Sequence, residues 1–131
     1  FCSIWDREFS EIKMQMNNAE QRGVKLINFS FTQLMNPIGE VITYDMDEQK
    51  LREIWHRQLV IIVDRNTVLL GGADKNIKNR SIFTDNPAIL NIALNYLVLD
   101  ITLFSDRKKQ NLESVLKEMM SEKSESLQDL L

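Results

Sequence analysis

Apolar residues recur along this chain in several rhythms, and each rhythm predicts a different element. Phe1-Cys2-Ser3-Ile4-Trp5 is a short apolar run that reads as a strand. Phe9, Ile12, Met16 and Ala19 then recur at intervals of three and four, the stripe of an amphipathic helix. Asp6 is placed to be its N-cap, and Gly23 stands where a helix-ending residue of positive φ is wanted. Val24 to Phe29 follows as a second strand. Strand, helix and strand in this order normally form a right-handed crossover between parallel strands.

Asn36-Pro37-Ile38-Gly39 is a loop by its breakers, Val41 to Tyr44 a short strand, and Asp45 to Lys50 a polar connector. Leu59-Val60-Ile61-Ile62-Val63 is apolar without alternation, which predicts a central strand covered on both faces. Asp64-Arg65-Asn66-Thr67 is read as a four-residue turn into Val68-Leu69-Leu70, and Gly71-Gly72 ends that strand, completing a hairpin. Asn76 to Arg80 is polar, and Ser81 to Thr84 reads as a further short strand. Asn86 caps a helix whose first residue is Pro87, a favourable start.

Ile89, Ile92, Ala93, Tyr96, Leu97 and Leu103 lie mostly on one side of that helix, and Leu90, Leu94, Val98 and Ile101 widen its apolar surface. Such a helix is either buried on two sides or placed at a subunit interface. From Ser105 the chain turns charged. Arg107-Lys108-Lys109 reads as a solvated helix start, Leu112, Val115, Leu116 and Met119 form a narrow stripe, and Glu113 and Lys117 make a supportive pair. The helix is expected to fray from Ser121. The pattern gives an α/β fold, a mixed β-sheet flanked by helices, over residues 1–104, with a C-terminal helical tail over 105–131.

Composition narrows this little. At 131 residues the chain fits one domain. A net charge of −3 gives no reason to expect nucleic acid or an anionic membrane as a direct partner. Cys2 is the lone cysteine, set in an apolar run, so a buried thiol is expected rather than a disulfide scaffold. Met14, Met16 and Met35 are expected as core filler. No apolar run of about 20 residues and no secretion signal stand out, so a cytoplasmic, membrane-free protein is expected. The chain opens at Phe1 inside a strand, which suggests an excised domain with a segment upstream.

Signatures of chemistry are sparse. Neither phosphate-binding glycine motif is present, nor a G-x-S-x-G elbow. One His and one Cys make a His/Cys metal site implausible, and no calcium-loop spacing occurs, so no metal and no cofactor are expected. His56 is read as a surface or strand-entry residue, because a general base needs an orienting partner and a nucleophile that the sequence does not name.

Two stretches carry a resemblance. His56-Arg57-Gln58-Leu59-Val60-Ile61-Ile62-Val63-Asp64, followed by Leu70-Gly71-Gly72-Ala73-Asp74, resembles the active hairpin of the phospholipase D superfamily, H-x-K-x-x-x-x-D and then G-[SG]-x-N. With Asp64 on the motif aspartate, Arg57 stands where the nucleophilic histidine belongs and Leu59 where the lysine belongs. His56 is one residue out of register, which on a strand means the opposite face, and Asp74 replaces the usual Asn. The chain is similar to a non-catalytic branch of that scaffold, the effector domain of TrmB-like transcription regulators. The residues that carry this are Ile4-Trp5, Ala19-Glu20-Gln21-Arg22-Gly23-Val24-Lys25-Leu26, the Arg57–Asp64 run, Leu69-Leu70-Gly71-Gly72 and Ser81-Ile82-Phe83-Thr84-Asp85-Asn86-Pro87.

The resemblance implies a phospholipase D-like sheet, a homodimer, and a small-molecule effector that alters DNA affinity. It also implies that DNA is bound only by an upstream winged helix-turn-helix domain. Some such regulators sense sugars, and the larger sugar-binding ones carry an added β-rich subdomain, where this chain has a helical tail. In the parent scaffold the hairpin faces a cleft, which places Arg57, Asp64, Asp74, Thr84 and Asn86 as the candidate ligand-binding residues. Arg57 offers a planar fork to a carboxylate or phosphate. Against this, Arg57 and Asp64 would also suit a structural ion pair, and Thr84 and Asn86 would also serve as helix caps. The expected function is a non-catalytic regulatory domain that dimerises and binds a small polar effector, a sugar or sugar derivative being one class. The alternatives are a divergent phosphodiesterase using His56 and a plain dimerisation module.

Overall fold

The computed structural model describes residues 1–72 and 80–120. Strand β1 is only Cys2–Ser3, shorter than the run that predicts it, yet Ile4 and Trp5 are buried as core. Helix α1, Asp6–Gln21, starts one residue earlier than expected: Trp5 holds the N-cap position, and the Asp6 carboxylate instead accepts the Met35 backbone N–H at 2.7 Å. Its stripe behaves as read, with Phe9 and Met16 buried. Gly23, at φ +84°, closes the helix: its N–H donates to the Glu20 carbonyl and the Val24 N–H reaches back to Ala19, the paired bonds of a Schellman ending.

That ending holds Val24 against the helix, so strand β2 begins only at Ile27 and runs to Thr32. β1 and β2 are parallel, as the strand–helix–strand reading requires. Strand β3, Glu40–Met46, is also parallel to β2, although only residues 33–39 separate them. Parallel neighbours usually need a dozen or more residues of crossover. Here Leu34 is buried, the Asn28 side-chain amide donates to the Ile38 carbonyl at 2.8 Å, and Asn36 and Gly39 take positive φ, so the short return is pinned along its length.

The expected polar connector after β3 is in part helix α2, Glu48–Ile54, capped by the Asp47 side chain on the Lys50 N–H and anchored by Leu51. Strand β4, Gln58–Val63, and strand β5, Thr67–Gly72, form the expected hairpin. Its connection is Asp64–Asn66, shorter by one residue than the turn read from sequence, with Asp64 and Arg65 both at positive φ. Two consecutive positive φ values mark the primed turns that suit strand twist. Gly71 pairs within β5, and Gly72 is its last residue. Strand β6, Ser81–Thr84, pairs with β5 at the edge.

The sheet is six-stranded and mixed, in the order β3-β2-β1-β4-β5-β6. Alternate residues of its strands face two helical layers. Ile27, Phe29, Ile42, Val60, Ile62 and Val68 face helix α3, Pro87–Lys108, and helix α4, Glu113–Met119. Cys2, Val41, Leu59 and Ile61 face α1. β4 is therefore covered on both faces, more fully on the α3 side.

α3 passes Phe104 without a break and ends at Lys109, which is left-handed at φ 53°. Arg107 and Lys108 thus form its last turn, where cations suit the helix dipole, and are not a helix start. Leu112, Val115, Leu116 and Met119 belong to the main core, so the described part of the expected tail packs as part of the domain. Residues from Ser121 onward lie outside the described residues. Of the three methionines expected as filler, Met16 is buried, whereas Met14 and Met35 are exposed. The sequence showed no candidate membrane span, but α3 is long and apolar enough for one by length and composition. In this fold its sheet-facing side supplies Leu90, Ala93, Leu97, Ile101 and Phe104 to the core.

Candidate functional site

Of the residues expected to converge on one cleft, the four that are described, Arg57, Asp64, Thr84 and Asn86, are spread over the fold. Arg57 and Asp64 flank β4 at opposite ends, roughly 20 Å apart at about 3.3 Å per residue, so they form neither a common site nor an ion pair. Thr84 accepts the Asn86 N–H at 3.0 Å, and Asn86 accepts the N–H groups of Ala88 and Ile89 at 3.0 and 3.3 Å. Both side chains are occupied in starting α3. Asp74 lies outside the described residues.

Arg57 is the most buried of the set, its side chain 6% exposed. It bridges two helices, reaching Glu48 of α2 at 2.7 Å and Glu8 of α1 at 3.4 Å, and its guanidinium lies 5.3 Å from the centre of the Trp5 ring. Arg52 also pairs with Glu48. The group sits at the carboxyl end of β1, where the chain order turns from the β2 side of the sheet to the β4 side, a position where open α/β sheets often bind ligands. Here two carboxylates already use the arginine. Two polar atoms, Arg57 Nε and Glu8 Oε2, are buried without a hydrogen-bond partner among the described residues. The face of β4 that carries Arg57 continues with Leu59 and Ile61, so it presents neither a nucleophile nor an ammonium group, and His56 is exposed beside it.

A second polar group lies under α3. Burial pushes the Asp100 carboxyl up to about 6, against a smaller opposing effect of its hydrogen bond from Tyr96, and Asp100 Oδ2 has no partner among the described residues. Burial, then the Asp100 charge, raises the Tyr96 hydroxyl, which also contacts Ser3 of β1. A carboxyl whose folded pKa lies above its unfolded value holds its proton longer in the native state. Its contribution to stability is therefore full at acid pH and is lost as pH rises through about 6. Asp100→Asn should thus gain stability relative to the parent at pH 7–8 and lose that advantage near pH 4, as thermal melts across pH would show. A parent whose stability profile from pH 4 to 8 matches that of Asp100→Asn would contradict this.

A concave feature lies at the opposite end of the sheet from Arg57. It is a cavity of about 790 Å³ between the end of α1, the approach to β2, the β4 turn and α4. Its walls are mainly apolar, including Phe1, Ile12, Met16, Val24, Leu26 and Ile61, and Ala19 leaves room at the α1 side. Gln15, Arg22, Lys25, Asp64 and Glu118 supply its polar groups, and Lys25 is bound to Glu118 at 2.5 Å. Asp64 is thus the one expected site residue, among the described residues, that lines the cavity. The Cys2 thiol is buried, as expected, and forms part of the same wall; burial pushes its pKa up.

This cavity gave no signal in the sequence, because it joins parts of α1, β4 and α4 that no spacing rule connects. The nearest hint was the Ala19–Leu26 junction, read as a helix-to-strand junction that carries the resemblance and not as the wall of a cavity. No protein-family profile, no curated protein and no solved structure matches the chain.

Proposed function

We propose that this chain is the ligand-sensing and dimerisation domain of a TrmB-like transcription regulator, built on a degenerate phospholipase D-like scaffold and working in the cytoplasm without chemical turnover. DNA contact comes from an upstream winged helix-turn-helix domain. The observation that carries the sensing part is the cavity, whose volume of about 790 Å³ falls within the usual range for small-molecule sites. Support for the non-catalytic part is the fate of Arg57, which stands at the motif's histidine position and is held by Glu8 and Glu48.

The cavity refines the expected effector. An apolar wall with a few charged groups suits a molecule with an apolar body and one polar head better than a bare sugar, which needs many convergent donors and acceptors. A carboxylate head would find Arg22 nearby, Lys25 being held by Glu118.

Thermal unfolding against a panel of sugars, sugar phosphates, nucleotides and aliphatic or aromatic carboxylic acids tests this. A ligand of the folded state at 100 times its Kd adds about 2.7 kcal/mol of apparent stability. The acids should raise Tm. A shift caused by sugars alone would restore the polar-effector reading, and no shift with any compound would leave a plain dimerisation module. Metal-independent phosphodiesterase activity abolished by His56→Ala would overturn the non-catalytic assignment.

A further inference from the structure

Two cavities meet at Glu118. The apolar one of about 790 Å³ adjoins a second of about 540 Å³, lined by Phe1, Asp64, Arg65, Lys117 and Glu118. Phe1, Asp64 and Glu118 line both. The charged side chains of the first are Arg22, Lys25, Asp64 and Glu118, two of each sign. Those that the second adds, Arg65 and Lys117, are both cations.

Glu118 stands on Lys25 as a ligand's carboxylate would. Its oxygen lies 2.5 Å from the Lys25 Nζ, a charge-assisted bond that another carboxylate could make in its place. That bond is the main influence raising the Lys25 pKa, and Glu40 adds a smaller one of the same sign.

This occupancy is reversible. The two side chains are 58% and 42% exposed, and an ion pair so open to water holds weakly. α4 need not move, since Val115, Leu116 and Met119 fix it in the core; only the Glu118 side chain has to turn. Arg65 lines the smaller cavity together with Glu118. It gives one N–H to the Met120 carbonyl at 2.9 Å, and its guanidinium carries further donors. Lys117 is already paired with Glu113. With Glu118 turned to Arg65, the larger cavity holds Arg22 and Lys25 against Asp64, a surplus of one positive charge among its side chains.

We propose that Lys25 takes the carboxylate of the effector, and that Glu118 is a built-in competitor that turns from Lys25 to Arg65 when the effector binds. This rests on the cavity being the effector site, and it names the residue that reads the head group and the one that limits affinity.

Calorimetric titration with octanoate, and with octanol as the same chain without a charge, tests it on the parent, Glu118→Gln, Lys25→Gln and the double variant. Both positions are exposed, so all four chains should fold alike. Octanoate should bind Glu118→Gln about 2–5-fold more tightly than the parent, the range that an exposed pair contributes. It should bind Lys25→Gln more weakly than the parent, and adding Glu118→Gln to Lys25→Gln should change nothing further. Octanol should bind all four chains equally.

A gain from Glu118→Gln that persists without Lys25 would mean that Glu118 only repels the anion, and would overturn the competitor role. Octanoate binding that neither substitution alters, or binding of octanol alone, would overturn the inference and leave the cavity as an effector site. Failure of both compounds to bind any of the four chains would overturn both.

Discussion

Replacing Arg57 by alanine is expected to lower the free energy of unfolding by about 3–5 kcal/mol, the usual cost of removing one partner from a buried ion pair. Arg57 joins α1 and α2 to the edge of β4 through Glu8 and Glu48, with its side chain only 6% exposed. Its removal leaves Glu8, 12% exposed, without the cation 3.4 Å away, and it uncovers the face of Trp5. Arg57→Lys should recover only part of the loss, since one ammonium cannot span both carboxylates as the planar fork does. Chemical denaturation of Arg57→Ala, Glu8→Gln and the double variant measures the coupling directly. A loss below 1 kcal/mol for Arg57→Ala, or no coupling to Glu8, would mean that the group is solvated and free for another role.

Gly39→Ala should cost about 2–5 kcal/mol by denaturant unfolding, from left-handed backbone strain together with overpacking. Gly39 has φ +79°, and an added Cβ would lie 2.6 Å from both the Cβ and the carbonyl oxygen of Leu26. That same carbonyl accepts the Glu40 N–H at 2.9 Å, the bond that starts β3 beside β2. Relief of the clash must therefore disturb the first pairing of the edge strand. Gly23→Ala provides the contrast. Its φ is +84°, but nothing lies within 4 Å of the added Cβ, so only the conformational cost of about 1 kcal/mol applies. Equal losses at the two glycines would show that crowding against Leu26 is unimportant.

The sequence was most legible where a signal is local. Asn86-Pro87 marks the start of α3 because cap and first-turn geometry depend on adjacent residues. Gly23 marks the end of α1 for the same reason, and the apolar run of β4 reports its position inside the sheet. α2 was missed because one buried residue, Leu51, gives a seven-residue helix no periodicity to detect. The parallel β2–β3 pair was not foreseen because its return depends on contacts of Asn28, Leu34 and Gly39 with distant backbone rather than on a crossover helix.

Arg57 and Asp64 of the expected site stand apart for a geometric reason. Arg57 and Asp64 are close in sequence, but a strand carries them to opposite ends of the sheet. The true neighbours of Arg57, Glu8 and Glu48, come from two helices with no spacing relation to it. The cavity likewise assembles from α1, β4 and α4, and of the expected residues that are described only Asp64 takes part.

Calorimetric titration of the parent chain and of Ala19→Phe with a carboxylic acid that raises Tm tests the central claim most directly. Ala19 lines the cavity without serving the main core, so a larger ring there fills the binding space. The account predicts saturable one-site binding to the parent, recovery of the compound unchanged, and binding at least about tenfold weaker to Ala19→Phe, equivalent to about 1.4 kcal/mol. Equal binding to both chains, or chemical conversion of the compound by the parent, would contradict it.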